Sequence, residues 1–73
     1  MNSDSTNKNT TKGLGDRLKT AREKLGLTQV EVAEKAKMTV NYYAMIERDE
    51  VNPSYKKLQG LAKALGIKFE ISG

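Results

Sequence analysis

Residues 29–48 of the chain, QVEVAEKAKMTVNYYAMIER, contain two short helical patterns. We predict helices over residues 29–36 and 40–48, because apolar side chains recur at helical spacing in each. Val32 and Ala33 begin the stripe of the first helix. About three residues separate the helices, so they must cross steeply, and we expect the small side chain of Ala33 at the crossing.

The starts of both helices are also predictable from this stretch. Thr28 is followed three residues later by Glu31, which is the capping-box pattern. Thr39 is placed to cap the second helix in the same way. Tyr43 and Ile46, three residues apart, share the apolar face of that helix. Two capped helices joined by a tight turn are typical of a helix-turn-helix motif.

Composition limits the chemistry that the chain can perform. Its 73 residues suffice for one small domain, and 13 basic against 9 acidic residues give a net charge of +4. This mild excess suits a polyanion, although many ordinary proteins share it. With no Cys, no His and no phosphate-binding glycine pattern, we expect no enzyme, no cofactor and no metal site. No apolar run reaches about 18 residues, and no signal peptide is visible, so we expect a cytoplasmic protein without a membrane partner.

The N-terminal part predicts a tail and a first helix. Residues 1–13 are polar and lack an apolar face, so we expect a disordered tail, followed by one domain over residues 14–73. A stripe of Leu and Ala at helical period predicts a helix over residues 14–25. Gly26 follows it, where a left-handed stop favours glycine.

The C-terminal part predicts a fourth helix and an ambiguous end. Ser54 is placed to cap a helix over residues 55–65, and Gly66 to end it. In residues 67–73, IKFEISG, apolar and polar residues alternate, which favours a short β-strand over a fifth helix. Such a strand would pair with its copy across a dimer axis. The predicted fold class is therefore all-α, with four or five helices and this one short strand as an addition.

From Leu14 to Ile67 the chain resembles the Cro and lambdoid-repressor type of helix-turn-helix protein, also called the xenobiotic-response-element family. The matching stretches are LGDRLKTAREKLGLTQVEVAEKA, IER and NPSYKKLQGLAKALGI. The resemblance implies a repressor-like domain that binds double-stranded DNA as a homodimer and regulates transcription. It also implies that the second motif helix enters the major groove.

Position by position, the resemblance assigns four residues to the edges of the bases: Thr39, Val40, Asn41 and Met45. The carboxamide of Asn41 can form two hydrogen bonds with adenine, and Val40 can touch a thymine methyl group. Met45 could equally be apolar surface or contact a protein partner.

Five further residues resemble positions that contact the DNA backbone: Gln29, Tyr42, Arg48, Asn52 and Ser54. Gln29 stands at a helix start, where its side-chain amide and the helix N-terminus both donate to an anion. Two alternatives stay open, because Gln29 could be only a helix-favouring surface residue and Tyr42 could belong to the core.

The resemblance also marks an ion pair and two departures. Arg22 and Glu47 match a pair that ties the first helix to the second motif helix. Lys37 and Asp49 stand where the family usually has glycine, and we expect a positive φ at Lys37 that costs about 1 kcal/mol. The presumed DNA face is less cationic and more apolar than is typical of the family.

Two other interpretations use the same fold. An antitoxin would bind a toxin as well as its own operator. A bridging adaptor would link a regulator to the transcription machinery and would bind protein through the apolar face at Val40 and Met45. Residue patterns alone do not separate these from a plain repressor.

Overall fold

The computed structural model describes residues 3–68, with side chains from residue 13 onward, and this part of the chain is entirely helical and loop. Its four helices are α1 (Ser3–Lys24), α2 (Gln29–Ala36), α3 (Val40–Glu47) and α4 (Tyr55–Leu65). The predicted all-α class is confirmed. None of the helices in residues 3–68 has the length and apolar character that a membrane crossing needs.

The predicted caps of the helix-turn-helix motif are confirmed. Thr28 Oγ1 accepts a hydrogen bond from Glu31 N at 3.1 Å, while Glu31 Oε1 accepts one from Thr28 N at 2.8 Å. Thr39 Oγ1 accepts from Tyr42 N at 3.1 Å. Each helix therefore starts where a side chain satisfies a backbone amide that has no partner within the helix.

The turn between α2 and α3 has the left-handed backbone that was expected. Lys37 has φ +61°, and its amide donates to the carbonyls of Ala33 and Glu34. Asp49, after α3, has φ +60°. A left-handed conformation costs a residue with a Cβ about 1 kcal/mol, so both departures from glycine are tolerated at some expense of stability.

One core holds the four helices together. α2 packs against α3 and α4, and α1 packs against the same two helices. Ala33 is 2% exposed, as expected for a residue at a helix crossing. The buried core consists of Leu18, Val32, Ala33, Tyr43, Ile46, Leu61 and Leu65.

The predicted bounds differ from the structure at α1 and α3. α1 begins at Ser3, eleven residues before the predicted start at Leu14. The predicted helix start at Leu14 is therefore wrong, while the prediction of a disordered tail over residues 1–13 stays a prediction. The predicted start relied on the first residue of the apolar stripe, whereas the helical backbone includes the polar residues before that stripe. α3 ends one residue before the predicted end at Arg48.

Two predictions about the ends of the chain remain untested. The boundary between a tail and a domain at residues 13 and 14 stays a prediction. Ile67 and Lys68 lie outside any helix, and residues 69–73 fall outside the described part of the chain. The predicted strand, its alternative as a helix and its pairing across a dimer therefore stay predictions.

α1 and the end of α3 meet through their backbones at Gly15. The amide of Gly15 donates to Asp49 Oδ1 at 3.1 Å. A Cβ at Gly15 would overlap the carbonyl oxygen of Glu47 and lie 2.9 Å from Asp49 Oδ2. Only glycine therefore allows α1 to approach α3 this closely.

We predict that Gly15→Ala lowers the free energy of unfolding by about 1–3 kcal/mol, because the added methyl group forces α1 away from α3. Gly13→Ala is the matched control in the same helix, since a Cβ there meets nothing within 4 Å. It should be neutral or stabilise the protein by up to about 1 kcal/mol, as alanine favours helix. Urea denaturation measures both variants. A Gly15→Ala protein as stable as the parent would contradict the close approach.

Candidate nucleic-acid interface

α3 separates buried and exposed side chains onto opposite sides. Tyr43 and Ile46 are fully buried against the rest of the fold, which confirms Tyr43 as a core residue. With 3.6 residues per turn, the opposite side carries four residues, which we call the outward face of α3. Their exposure ranges from partial to open, and Val40 is 41% exposed. The outward face consists of Val40, Asn41, Ala44 and Met45.

The one strongly polar group on the outward face is the carboxamide of Asn41. Its Nδ2 lies 3.8 Å from Sδ of Met45, one turn along the helix. A thioether sulfur is a weak acceptor, so the amide remains able to bind a stronger partner. Three of the sequence-predicted base contacts, Val40, Asn41 and Met45, thus share one surface.

Two lysines lie beside the first turn of α3. Lys37, Met38, Thr39, Tyr42 and Lys57 line a shallow groove of about 410 Å³. Lys57 Nζ lies 5.6 Å from the centroid of the Tyr42 ring, within the range of a cation–π contact. The contact brings the first turn of α4 next to the first turn of α3. Lys37 and Lys57 therefore both line a groove beside the positive N-terminal end of α3, where an anion is favoured.

The remaining predicted contact residues lie around the ends of the helices. Arg48 is exposed and forms an ion pair with Glu50, with Nε to Oε2 at 2.9 Å and Nη2 to Oε1 at 3.0 Å. Its charge is thus compensated locally. Asn52 is exposed in the loop before α4. Ser54 Oγ accepts from Lys57 N at 3.2 Å, which confirms the predicted cap of α4.

Gln29 has a partner that the sequence did not reveal. Its Nε2 donates to Glu47 Oε1 at 3.0 Å, so one amide hydrogen points into the protein. The predicted contact between Gln29 and a phosphate stays untested. Nothing in the local pattern links positions 29 and 47, because the contact depends on how α2 and α3 cross.

A carboxylate joins three helices behind the outward face. Arg22 donates to Glu47 twice, from Nε to Oε2 at 2.7 Å and from Nη2 to Oε1 at 3.2 Å. The Tyr43 hydroxyl also donates to Glu47 Oε2. The ion pair implied by the resemblance is confirmed, and its side chains are only 13% and 4% exposed. We call Arg22, Gln29, Tyr43 and Glu47 the Glu47 cluster.

The ionisation of the cluster follows from its hydrogen bonds. Burial alone would raise the pKa of Glu47, but the hydrogen bonds from Arg22, Tyr43 and Gln29, with the charge of Arg22, outweigh it and lower the pKa below its ordinary value. The hydrogen bond to Glu47 raises the pKa of Arg22. Burial, followed by the hydrogen bond to Glu47, raises the pKa of Tyr43. Near neutral pH the cluster is therefore a charged pair with a neutral phenol, which suits a structural tie.

Three comparisons relate this chain to known proteins. The family model described as helix-turn-helix matches residues 18–71. The immunity repressor protein of Bacillus phage phi105 is 49% identical over 55 residues, covering 75% of this chain and 38% of the relative. The HTH-type transcriptional regulator DdrOP3 of Deinococcus deserti is 39% identical over 54 residues, covering 74% of this chain and 42% of the relative. The chain thus spans about two fifths of the length of these relatives.

A solved structure resembles the whole arrangement of helices. It is the restriction-modification controller protein C.AhdI from Aeromonas hydrophila, with a TM-score of 0.75 and 33% sequence identity. The similarity covers 80% of this chain and 86% of that one. The predicted resemblance between Leu14 and Ile67 therefore coincides with similarity in both sequence and fold.

The Glu47 cluster predicts how stability changes in acid. Because the pKa of Glu47 is lower in the folded chain, its contribution is complete above the unfolded pKa, near 4.5, and is lost as the pH falls through the folded value. We expect Glu47→Gln to lower the free energy of unfolding at pH 7 by about 2 kcal/mol, because that is the typical contribution of a hydrogen bond to a charged group. The variant should also lose stability less steeply than the parent below about pH 4.5.

Thermal unfolding between pH 7 and pH 2.5 measures both effects. Glu50→Gln is the matched control, because it removes the exposed partner of Arg48 and exposed ion pairs contribute little to stability. If stability falls with decreasing pH equally steeply in Glu47→Gln and in the parent, the cluster does not tie the helices together.

Proposed function

Because the chain belongs to the helix-turn-helix family, we propose that it is a sequence-specific regulator of transcription that binds double-stranded DNA as a homodimer. In this function the outward face of α3 lies in the major groove and contacts base edges. Repression is the mode that we infer, with support from the similarity to the phage immunity repressor.

The observation that carries the proposal is the two-sided character of α3. Tyr43 and Ile46 fix one side of the helix in the core, and the Glu47 cluster ties its last turn to α1 and α2. The other side is left as an exposed surface on a rigid support. A helix so presented fits the major groove of B-DNA, where each base pair has its own pattern of donors and acceptors.

The surroundings of the outward face supply groups for the DNA backbone. Lys37 and Lys57 stand beside the start of α3, and the capped starts of α2 and α4 offer further amide groups. Phosphate contacts of this kind set position and a large part of the affinity, without selecting sequence. Tyr42 and Ser54 belong to this region, because Lys57 contacts the Tyr42 ring and follows the Ser54 cap.

The small size of this surface supports the proposed homodimer. One copy offers one outward face, and the arginine at the end of α3, Arg48, is held by Glu50. Two copies on half-sites one turn of DNA apart, about 34 Å, would double both the base and the phosphate contacts. A groove of about 430 Å³ along α1 is lined in part by Leu25, Leu65 and Ile67. Leu25 is 53% exposed there, so this groove offers an apolar surface to a second copy.

We predict that Asn41→Ala weakens binding to the preferred duplex by about 1–3 kcal/mol and leaves folding intact, because Asn41 is exposed and has only a weak contact within the described chain. The duplex is first selected from a random pool, and the mass of the free protein is measured by sedimentation. Gln59→Ala, an exposed amide on α4, is the control and should bind like the parent.

Three outcomes of these experiments would each contradict one part of the proposal. Loss of the melting transition in Asn41→Ala would contradict the assignment of this residue to the outward face. Selection without any preferred duplex would contradict sequence-specific binding and favour an adaptor that binds protein. A mass of one chain, about 8.1 kDa, at high micromolar concentration would contradict the homodimer.

Salt dependence gives an independent prediction. Affinity for the preferred duplex should fall steeply between about 50 and 200 mM salt, because phosphate contacts release counterions. Lys57→Ala should reduce the slope of log K against log salt by about 1. Lys19→Ala is the control, because Lys19 is exposed on α1 and lines neither the groove of Lys57 nor that of Leu25, and its slope should equal that of the parent. Equal slopes in all three proteins would show that Lys57 does not contact a phosphate.

A further inference from the structure

The outward face of α3 has an unusual chemical composition for a surface that contacts base edges. Three of its four side chains are apolar: Val40, Ala44 and Met45. Residues 40–47 contain no Lys or Arg. Arginine and lysine are the side chains that bind O6 and N7 of guanine. The next arginine along the chain, Arg48, is held by Glu50.

We propose that this face selects half-sites rich in A·T pairs by packing its apolar side chains on thymine 5-methyl groups. In this arrangement the carboxamide of Asn41 binds N6 and N7 of an adenine. The inference rests on the function proposed above and names the DNA sequence class that the same surface takes.

The physical basis is that thymine carries the 5-methyl group, an apolar patch in the major groove that the other three unmodified bases lack. Val40 is 41% exposed in the free protein, so contact with that methyl group removes apolar surface from water on both partners. Met45 is unbranched and adapts its shape to the surface that it meets. Its sulfur lies 3.8 Å from the Asn41 amide, so one polar and one apolar contact fall side by side.

The test removes only the methyl group. The preferred duplex is selected with ordinary thymine and then rebuilt with deoxyuridine at one T position at a time within the half-sites, which keeps every hydrogen-bonding group. Each methyl group that the protein contacts should cost about fourfold in affinity, which corresponds to about 0.8 kcal/mol for one buried carbon group. Deoxyuridine outside the half-sites is the control and should leave the affinity unchanged.

Variants then assign the contact to a side chain. For the T position that Val40 contacts, Val40→Ala should bind the deoxyuridine duplex and the thymine duplex equally well, because the side chain that packs on that methyl group is gone. Val30→Ala is the matched control. Val30 is 49% exposed on α2, outside the outward face, so this variant should keep the fourfold difference. Thermal melting verifies that both variants fold.

The possible results separate this inference from the proposed function. A preferred duplex that binds equally well with deoxyuridine at every half-site position would overturn the thymine contact and leave sequence-specific binding standing. A preferred half-site dominated by G·C pairs would do the same. If no duplex is preferred, the proposed function fails first and the inference fails with it.

Discussion

The Glu47 carboxylate is the interaction on which the arrangement of this protein depends. It accepts hydrogen bonds from Arg22 on α1, Gln29 on α2 and Tyr43 on α3. Burying a carboxylate that is only 4% exposed is costly unless its oxygens accept hydrogen bonds. Here α1, α2 and α3 each supply a donor. Rotation of α3 about its axis would break the bonds from Arg22 and Gln29 and pull Tyr43 out of the core. The carboxylate therefore fixes which side of α3 faces outward.

α1 holds α3 at a second point, and the two points lie on one face of α1. Gly15, Leu18 and Arg22 follow each other at helical spacing. Gly15 meets the backbone at the end of α3 and the carboxylate of Asp49, Leu18 enters the core, and Arg22 binds Glu47. The close approach at Gly15, the apolar packing of Leu18 and the ion pair of Arg22 thus lie along two turns of α1. Together they restrain both the distance between α1 and α3 and the rotation of α3 about its axis.

The local features of this fold were predictable from the sequence, and the long-range ones mostly were not. The caps at Thr28, Thr39 and Ser54 were correct because their partners lie three residues away. The resemblance to helix-turn-helix repressors is confirmed, and it supplied the pair of Arg22 and Glu47. The contacts from Gln29 to Glu47 and from Lys57 to Tyr42 were missed, because they depend on the angles at which helices cross. The start of α1 was misplaced because it was set at the first residue of the apolar stripe, and the polar residues before that stripe give no signal of a helix start.

The separation of apolar and cationic groups has a consequence for how such a surface evolves. The outward face carries no formal charge, whereas Lys37 and Lys57 stand beside the start of α3 and Arg48 at its end. In the proposed function, base contacts would set specificity, and phosphate contacts would set most of the affinity that does not depend on sequence. Because Tyr43, Ile46 and Glu47 point away from the outward face, substitutions at its exposed residues, Val40 and Asn41, leave the core contacts in place. In the proposed function, a new sequence preference would therefore require substitutions at only a few positions of α3, with the core and the neighbouring lysines unchanged.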